Sequence, residues 1–300
     1  LQAMDEIFPL IFESAIELEG NTKKEVKDKD DTGEVDVSII ESQIEAICEK
    51  LKGHNDFKVD FRNNFLKHCF LNQMNERKIF SIMLCGDSGI GKTEFAKITS
   101  EILYPKEPLI KINFGNYSTE GVLNSLIGSP LGYIGSEEGG ELINKINTSS
   151  AKLILIDEFE KATPSVYNFF YELLEDGVFT DRHGTSHDLK GYIIVFTSNM
   201  SQKQYQQHIP DSLKSRFDMV YYFVDIPLDE KRKYIDDTST KLIDKLNKKF
   251  DVKISKDTLN VQLYELLSLH NLRDIKRKIE DIVFGEFFDQ YKTNNSNDTV

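Results

Sequence analysis

Ile79-Phe-Ser-Ile-Met-Leu-Cys-Gly-Asp-Ser-Gly-Ile-Gly-Lys-Thr93 decides how this chain folds. Its first half is a short, almost wholly apolar run, as expected of a strand covered on both faces. Its second half, Gly86 to Thr93, fits G-x-x-x-x-G-K-[ST] in full, and a helical pattern follows from Thr93. Strand, glycine loop and helix in that order form the context in which such a loop binds phosphate. The glycines let backbone N–H groups turn inward, and the helix N-terminus adds positive potential. Gly86, Asp87, Ser88, Gly89, Ile90, Gly91, Lys92, Thr93 and Glu94 are therefore the expected ATP-binding residues. Lys92 would reach the β- and γ-phosphates and Thr93 would hold Mg²⁺.

Three further apolar runs accompany it: Leu109-Ile-Lys-Ile-Asn-Phe114, Leu153-Ile-Leu-Ile156 and Ile193-Ile-Val-Phe196. Helical segments separate them, so strand alternates with helix, the pattern of a parallel α/β sheet. Ligands in such sheets sit beyond the C-terminal strand ends. Two of those ends carry chemistry. Asp157-Glu158 follows one strand, where Asp157 would hold Mg²⁺ through water and Glu158 would polarise the attacking water. Thr197-Ser-Asn199 ends another, and the neutral amide of Asn199 can orient that water.

The flanks follow from composition. Residues 1–18 gather Ile7, Phe8, Leu10, Ile11, Phe12, Ile16 and Leu18 into an amphipathic segment. Residues 19–36 are charged and poor in apolar side chains, as in a flexible linker. Residues 37–225 form the large α/β nucleotide-binding domain. Residues 226–292 turn helical throughout and form a small α-helical lid domain, and residues 293–300 a polar, frayed tail. The 300 residues carry a net charge of −13, which repels phosphate backbones and makes nucleic acid an unexpected partner. No run reaches the ~18 apolar residues of a membrane span. Cys48, Cys69 and Cys85 are far apart and odd in number, so they are expected as reduced thiols in a cytoplasmic setting.

Ile154 to Asn168, reading ILIDEFEKATPSVYN, resembles the acidic motif of Clp-type AAA+ ATPases, specifically the second ATPase ring of the Clp disaggregases and unfoldases. The likeness continues through Glu172-Leu-Leu-Glu-Asp-Gly177, Thr180-Asp181 and Gly184 to Thr197-Ser-Asn199. It covers roughly residues 40–290, as a single module. The resemblance implies an AAA+ P-loop fold, ATP and Mg²⁺ as cofactors, and a homo-oligomeric, hexameric ring acting on polypeptide. Ile127-Gly-Ser-Pro-Leu-Gly-Tyr-Ile-Gly135 then matches a substrate-gripping pore loop, with Gly132, Tyr133, Ile134 and Gly135 at its centre. A phenol ring packs on any polypeptide without needing sequence. Arg216, in Ser215-Arg-Phe-Asp218, falls in the place of the arginine finger, and Arg273, in Asn271-Leu-Arg-Asp274, in that of the lid sensor.

The departures matter too. Asn271 and Asp274 stand where the family has glycine and proline. The span Met200 to Ser215 lacks a Clp-peptidase docking tripeptide, so no such docking is expected. Lys52-Gly-His-Asn55 replaces the family's adenine-contacting segment. Residues 1–36 match nothing in the family and are the expected place for an adaptor or other partner protein. Asp181, Arg182, His183 and Gly184 should cap a hairpin over residues 178–189, with His183 and His187 solvated and no metal beyond Mg²⁺. Two functions stay open: a translocase that threads polypeptide, and a nucleotide-gated switch or assembly ATPase that signals to a partner without threading.

Overall fold

The computed structural model describes residues 36–117, 121–129, 139–250 and 252–297. The N-terminal segment, all of its linker but Asp36, and the pore-loop residues Gly132, Tyr133, Ile134 and Gly135 lie outside the described residues. Helices α1 (Val37–Lys50) and α2 (Asn55–Gln73) lead into β1 (Phe80–Cys85) and α3 (Lys92–Leu103). Next come β2 (Ile110–Asn113), α4 (Val122–Ile127), α5 (Glu141–Thr148), β3 (Leu153–Asp157) and α6 (Pro164–Asp176). A small hairpin, β4 (Val178–Thr180) and β5 (Ser186–Asp188), precedes β6 (Ile193–Thr197). Helices α7 (Gln202–His208) and α8 (Asp211–Lys214) then lead to β7 (Met219–Tyr222). The chain closes with α9 (Leu228–Phe250), α10 (Lys256–Glu265) and α11 (Leu272–Asn297).

The main sheet has the order β2-β3-β6-β1-β7, and every pairing in it is parallel. Successive side chains of a strand point to opposite faces, and β1 uses both. Phe80, Ile82 and Leu84 enter one core, while Met83 and Cys85 enter the other. Both faces are therefore dry, which is why β1 reads as a continuous apolar run. The first core includes Phe57, Phe61 and Phe65, four residues apart along α2; Phe57 and Phe61 pack edge-on to Phe95 of α3, and Phe65 stacks on Phe61. Burying each such ring contributes about 2 kcal/mol. Pro164 opens α6 where no N–H is needed, and Gly177 closes it at φ 71°.

The C-terminal helices bury their own core, with Ile235, Ile243, Leu263, Ile275, Ile279 and Val283 at its centre. Helix α11 runs to Asn297, into the stretch 293–300 expected as a frayed tail. Each added residue of a formed helix gains a backbone hydrogen bond, so a polar end can still extend it. The hairpin forms as expected, but His187 is not solvated. Its ring stacks on Phe179 at 4.8 Å and its Nε2 meets Asp181 Oδ2 at 2.9 Å, with only 14% of the side chain exposed. Among the described residues, no helix is long and apolar enough to cross a membrane.

Candidate functional site

The C-terminal ends of β1, β3 and β6 open onto a cavity of about 480 Å³, roofed by α9 and the start of α11. Ser88, Gly89, Gly91, Lys92, Thr93 and Glu94 supply the loop side of its lining. Asp157, Glu158, Thr197, Ser198 and Asn199 supply the strand ends. Arg273 lines the opposite wall with Tyr234, Asp237, Thr238 and Lys276. Gly86, Asp87 and Ile90 do not line it. The carbonyls of Gly86 and Asp87 face inward on Lys92, and the Ile90 side chain enters the core.

Lys92 is almost fully buried. Its Nζ donates to Gly86 O and Asp87 O, both at 2.6 Å, and to Asn199 Oδ1 at 3.3 Å. Burial lowers its pKa below the ordinary lysine value, opposed chiefly by the carboxylate of Glu160, with Asp157 and Asp87 adding to it. The ammonium is thus poised on weak carbonyl acceptors that a phosphate oxygen can replace.

Asp157 accepts from three directions. Lys111 Nζ lies 2.6 Å from its Oδ2, Thr93 Oγ1 lies 3.4 Å from its Oδ1, and Thr197 Oγ1 also donates to Oδ1. Burial pushes the carboxyl up, but Lys111, Thr197 and Thr93 outweigh it and hold the pKa below the usual range. An ionised carboxylate and a hydroxyl side by side are hard oxygen donors of the kind Mg²⁺ takes. Glu158 adopts φ 57°, a left-handed conformation rare outside glycine, and pairs with Lys161. Its carboxylate also overlies Gly115.

Five contributors escape the sequence reading. Lys111 left a trace as the one charge inside an apolar strand. Glu160 stands two residues beyond Glu158 and accepts from Asn199 Nδ2 at 3.1 Å. Tyr171 and Glu175 hold Arg216, whose Nη1 lies 2.8 Å from Glu175 Oε2 and whose guanidinium sits 5.0 Å from the Tyr171 ring centre. His54 occupies a turn in which Gly53 and His54 both take positive φ. Its Nε2 donates to Ile90 O at 2.7 Å, and its ring stacks on Phe223 at 3.9 Å. The turn that replaces the family's adenine segment is thereby fastened to the phosphate loop. Asn271, which stands where the family's lid-sensor motif has glycine, accepts from Arg273 N at 2.9 Å, and Leu272 N donates to Gly89 O at 3.1 Å.

A parallel sheet with a glycine phosphate loop on β1, paired acids after β3 and an amide after β6 defines a P-loop nucleotide hydrolase. The family model described as "AAA domain (Cdc48 subfamily)" matches residues 77–254. The chain belongs to this family and is a Clp-type AAA+ ATPase. It is 32% identical over 209 residues to the chaperone protein ClpB of Oceanobacillus iheyensis, a match covering 69% of this chain and 23% of that protein. It is 40% identical over 136 residues to ClpB of Aquifex aeolicus, covering 45% of this chain and 13% of that protein. It is 36% identical over 134 residues to the negative regulator of genetic competence ClpC/MecB of Bacillus subtilis, covering 44% and 16%. The chain therefore spans about a quarter or less of these relatives. Its fold is similar to that of Hsp104 in a closed-state cryo-EM reconstruction with ATPγS and FITC casein. The TM-score is 0.71 at 20% identity, covering 89% of this chain and 50% of that one.

Proposed function

We propose that the chain is an ATP-driven polypeptide translocase that works as a hexameric ring of identical subunits. The observation that carries this reading is the position of Arg216. It does not line the chain's own nucleotide cavity, and Tyr171 and Glu175 hold it on α6. An arginine presented away from its own site suits one that completes a neighbour's site, so that hydrolysis depends on assembly.

Within the site, Lys92 leaves the Gly86 and Asp87 carbonyls for the β- and γ-phosphates. Thr93 and Asp157, the latter through water, would hold Mg²⁺, which when bound neutralises phosphate charge. Glu158 polarises the attacking water, Asn199 orients it, and Arg273 contacts the phosphates from the lid. Gly132, Tyr133, Ile134 and Gly135 form the polypeptide-gripping loop, a role supported by their match to the Clp pore loop. The reading places the ring in the cytoplasm, supported by three free thiols. Residues 1–36 are the proposed adaptor site.

The test is the ATPase rate with and without casein, in the wild type and in Tyr133→Ala. The expected result is a casein response that the alanine variant loses. A rate indifferent to casein in both favours the other reading, a nucleotide-gated switch or assembly ATPase that does not thread.

A further inference from the structure

We infer that Glu160 is a positioning residue for hydrolysis, acting through Asn199. The inference rests on the ATPase assignment and on the proposed role of Asn199.

A carboxamide has two ends that differ in chemistry, and Asn199 can turn either toward the phosphates. Its Oδ1 accepts from Lys92 Nζ at 3.3 Å, and its Nδ2 donates to Glu160 Oε1 at 3.1 Å. A carboxylate only accepts and an ammonium only donates, so these two partners admit one orientation of the amide. Lys92 is expected to leave Asn199 when phosphate arrives. Glu160 then remains as the partner that keeps Nδ2 turned away and Oδ1 turned toward the reaction. Asn199 thereby meets the attacking water as an acceptor.

Glu160 is built for holding rather than for solvation. Its Oε2 is buried and has no hydrogen-bond partner among the described residues. A buried carboxylate oxygen left without a donor is costly, and the neighbouring positive charge of Lys92 offsets that cost. Lys92, Asn199 and Glu160 thus form one chain of charge and amide. Glu160 is also separate from the acid pair before it. Asp157 faces Thr93, Thr197 and Lys111, and Glu158 faces Lys161 and Gly115.

The experiment compares Glu160→Ala, Glu160→Gln, Asn199→Ala and the Glu160→Ala/Asn199→Ala pair in the assembled protein. It measures kcat and KM for ATP, the affinity for a fluorescent ATP analogue, and the melting temperature. Glu160→Ala is expected to lower kcat on the order of tenfold to a hundredfold, the scale of a misplaced catalytic group, while analogue affinity and melting stay put. Glu160→Gln should keep most of the rate, because its amide oxygen can accept the same Nδ2 hydrogen. The double variant should be no slower than Asn199→Ala alone. Full kcat in Glu160→Ala, or a further loss when it is added to Asn199→Ala, overturns the assignment and leaves the role of Asn199 standing. Full kcat in Asn199→Ala overturns both. If Glu160→Ala melts early, Glu160→Gln decides with Asn199→Asp. The latter sets two carboxylates face to face, and adding Glu160→Gln should recover rate. No recovery overturns the proposal.

Discussion

Asn271 sits directly on Gly89, so closely that a Cβ built on the glycine would overlap the Asn271 carboxamide. The helical region therefore touches the phosphate loop through a residue that stands where the family resemblance expects glycine. The contact is reinforced by Leu272 N donating to Gly89 O. Gly89 also takes φ +80°, where a side chain adds ~1–2 kcal/mol of strain. Gly89→Ala is expected to weaken nucleotide binding on the order of tenfold or more, since 1.4 kcal/mol is a factor of ten. Adding Asn271→Ala should recover the part due to overlap and leave the part due to strain. Titration with a fluorescent ATP analogue checks this; equal affinity in Gly89→Ala and wild type would show that loop and helix contact without coupling.

Gly115 is a different case, because its backbone is not in the left-handed region. A Cβ there would meet the Glu158 carboxylate, the free end of a flexible side chain, and would approach Asn113 Oδ1 at 3.0 Å. Gly115→Ala should leave the fold intact and displace the carboxylate. We expect kcat to fall while ATP-analogue affinity and melting temperature hold, because a general base tolerates little displacement. A drop in affinity with kcat unchanged would remove the link between Gly115 and Glu158.

His68 gives the fold a pH dependence of known sign. It is buried in α2 with its ring 5.0 Å from Phe80, and its Nδ1 has no hydrogen-bond partner among the described residues. Burial, aided by Arg77, lowers its pKa from 6.5 to about 4. The unfolded chain therefore binds the proton first as pH falls, and stability is lost between pH 6.5 and about 4. The full shift corresponds to about 3 kcal/mol. The unfolding free energy of His68→Phe relative to wild type should rise across that window. An offset that does not vary with pH would contradict this.

The elements legible in the sequence were those whose physics is local. Three of the five sheet strands, β1, β3 and β6, announce themselves as apolar runs because both of their faces are buried, and the edge strand β2 is still legible because Ile110 and Ile112 fill its one fully buried face. The fifth, β7, was missed: it is an edge strand whose Val220, Tyr221 and Tyr222 are only half-buried, so the run never forms. The start of α2 is also hidden, because the helical pattern in the sequence runs only from Phe61 to Leu71. Asn55 to Asp60 carry mostly polar side chains, and the turn that begins the helix depends on His54 reaching Ile90, 36 residues away. In the site, Lys92, Asp157 and Asn199 were readable from strand ends. Lys111, Glu160, Tyr171 and Glu175 were not, because each acts on a partner brought near only by the packed sheet and α6.

Tyr171 and Glu175 bear on the most demanding prediction. If Arg216 serves a neighbour, its loss and the loss of Glu158 damage different halves of one interface. Arg216→Ala should bind ATP normally and hydrolyse it about a thousandfold more slowly, the lower end of what such an arginine contributes. Glu158→Gln should bind ATP and hydrolyse little. Mixed in one assembly, an Arg216→Ala subunit keeps its own Glu158 and can receive Arg216 from a Glu158→Gln neighbour. Each such interface is complete, so two nearly inactive proteins should regain hydrolysis on mixing, with the recovered rate rising and falling with the mixing ratio. If Arg216 acted on its own subunit's nucleotide, no pairing would restore a complete site and the mixture would stay as inactive as its parts. Tyr171→Phe removes the hydroxyl that accepts from Arg216 Nη2 at 3.3 Å but keeps the ring beneath the guanidinium. It should therefore cost far less than Tyr171→Ala, which removes both.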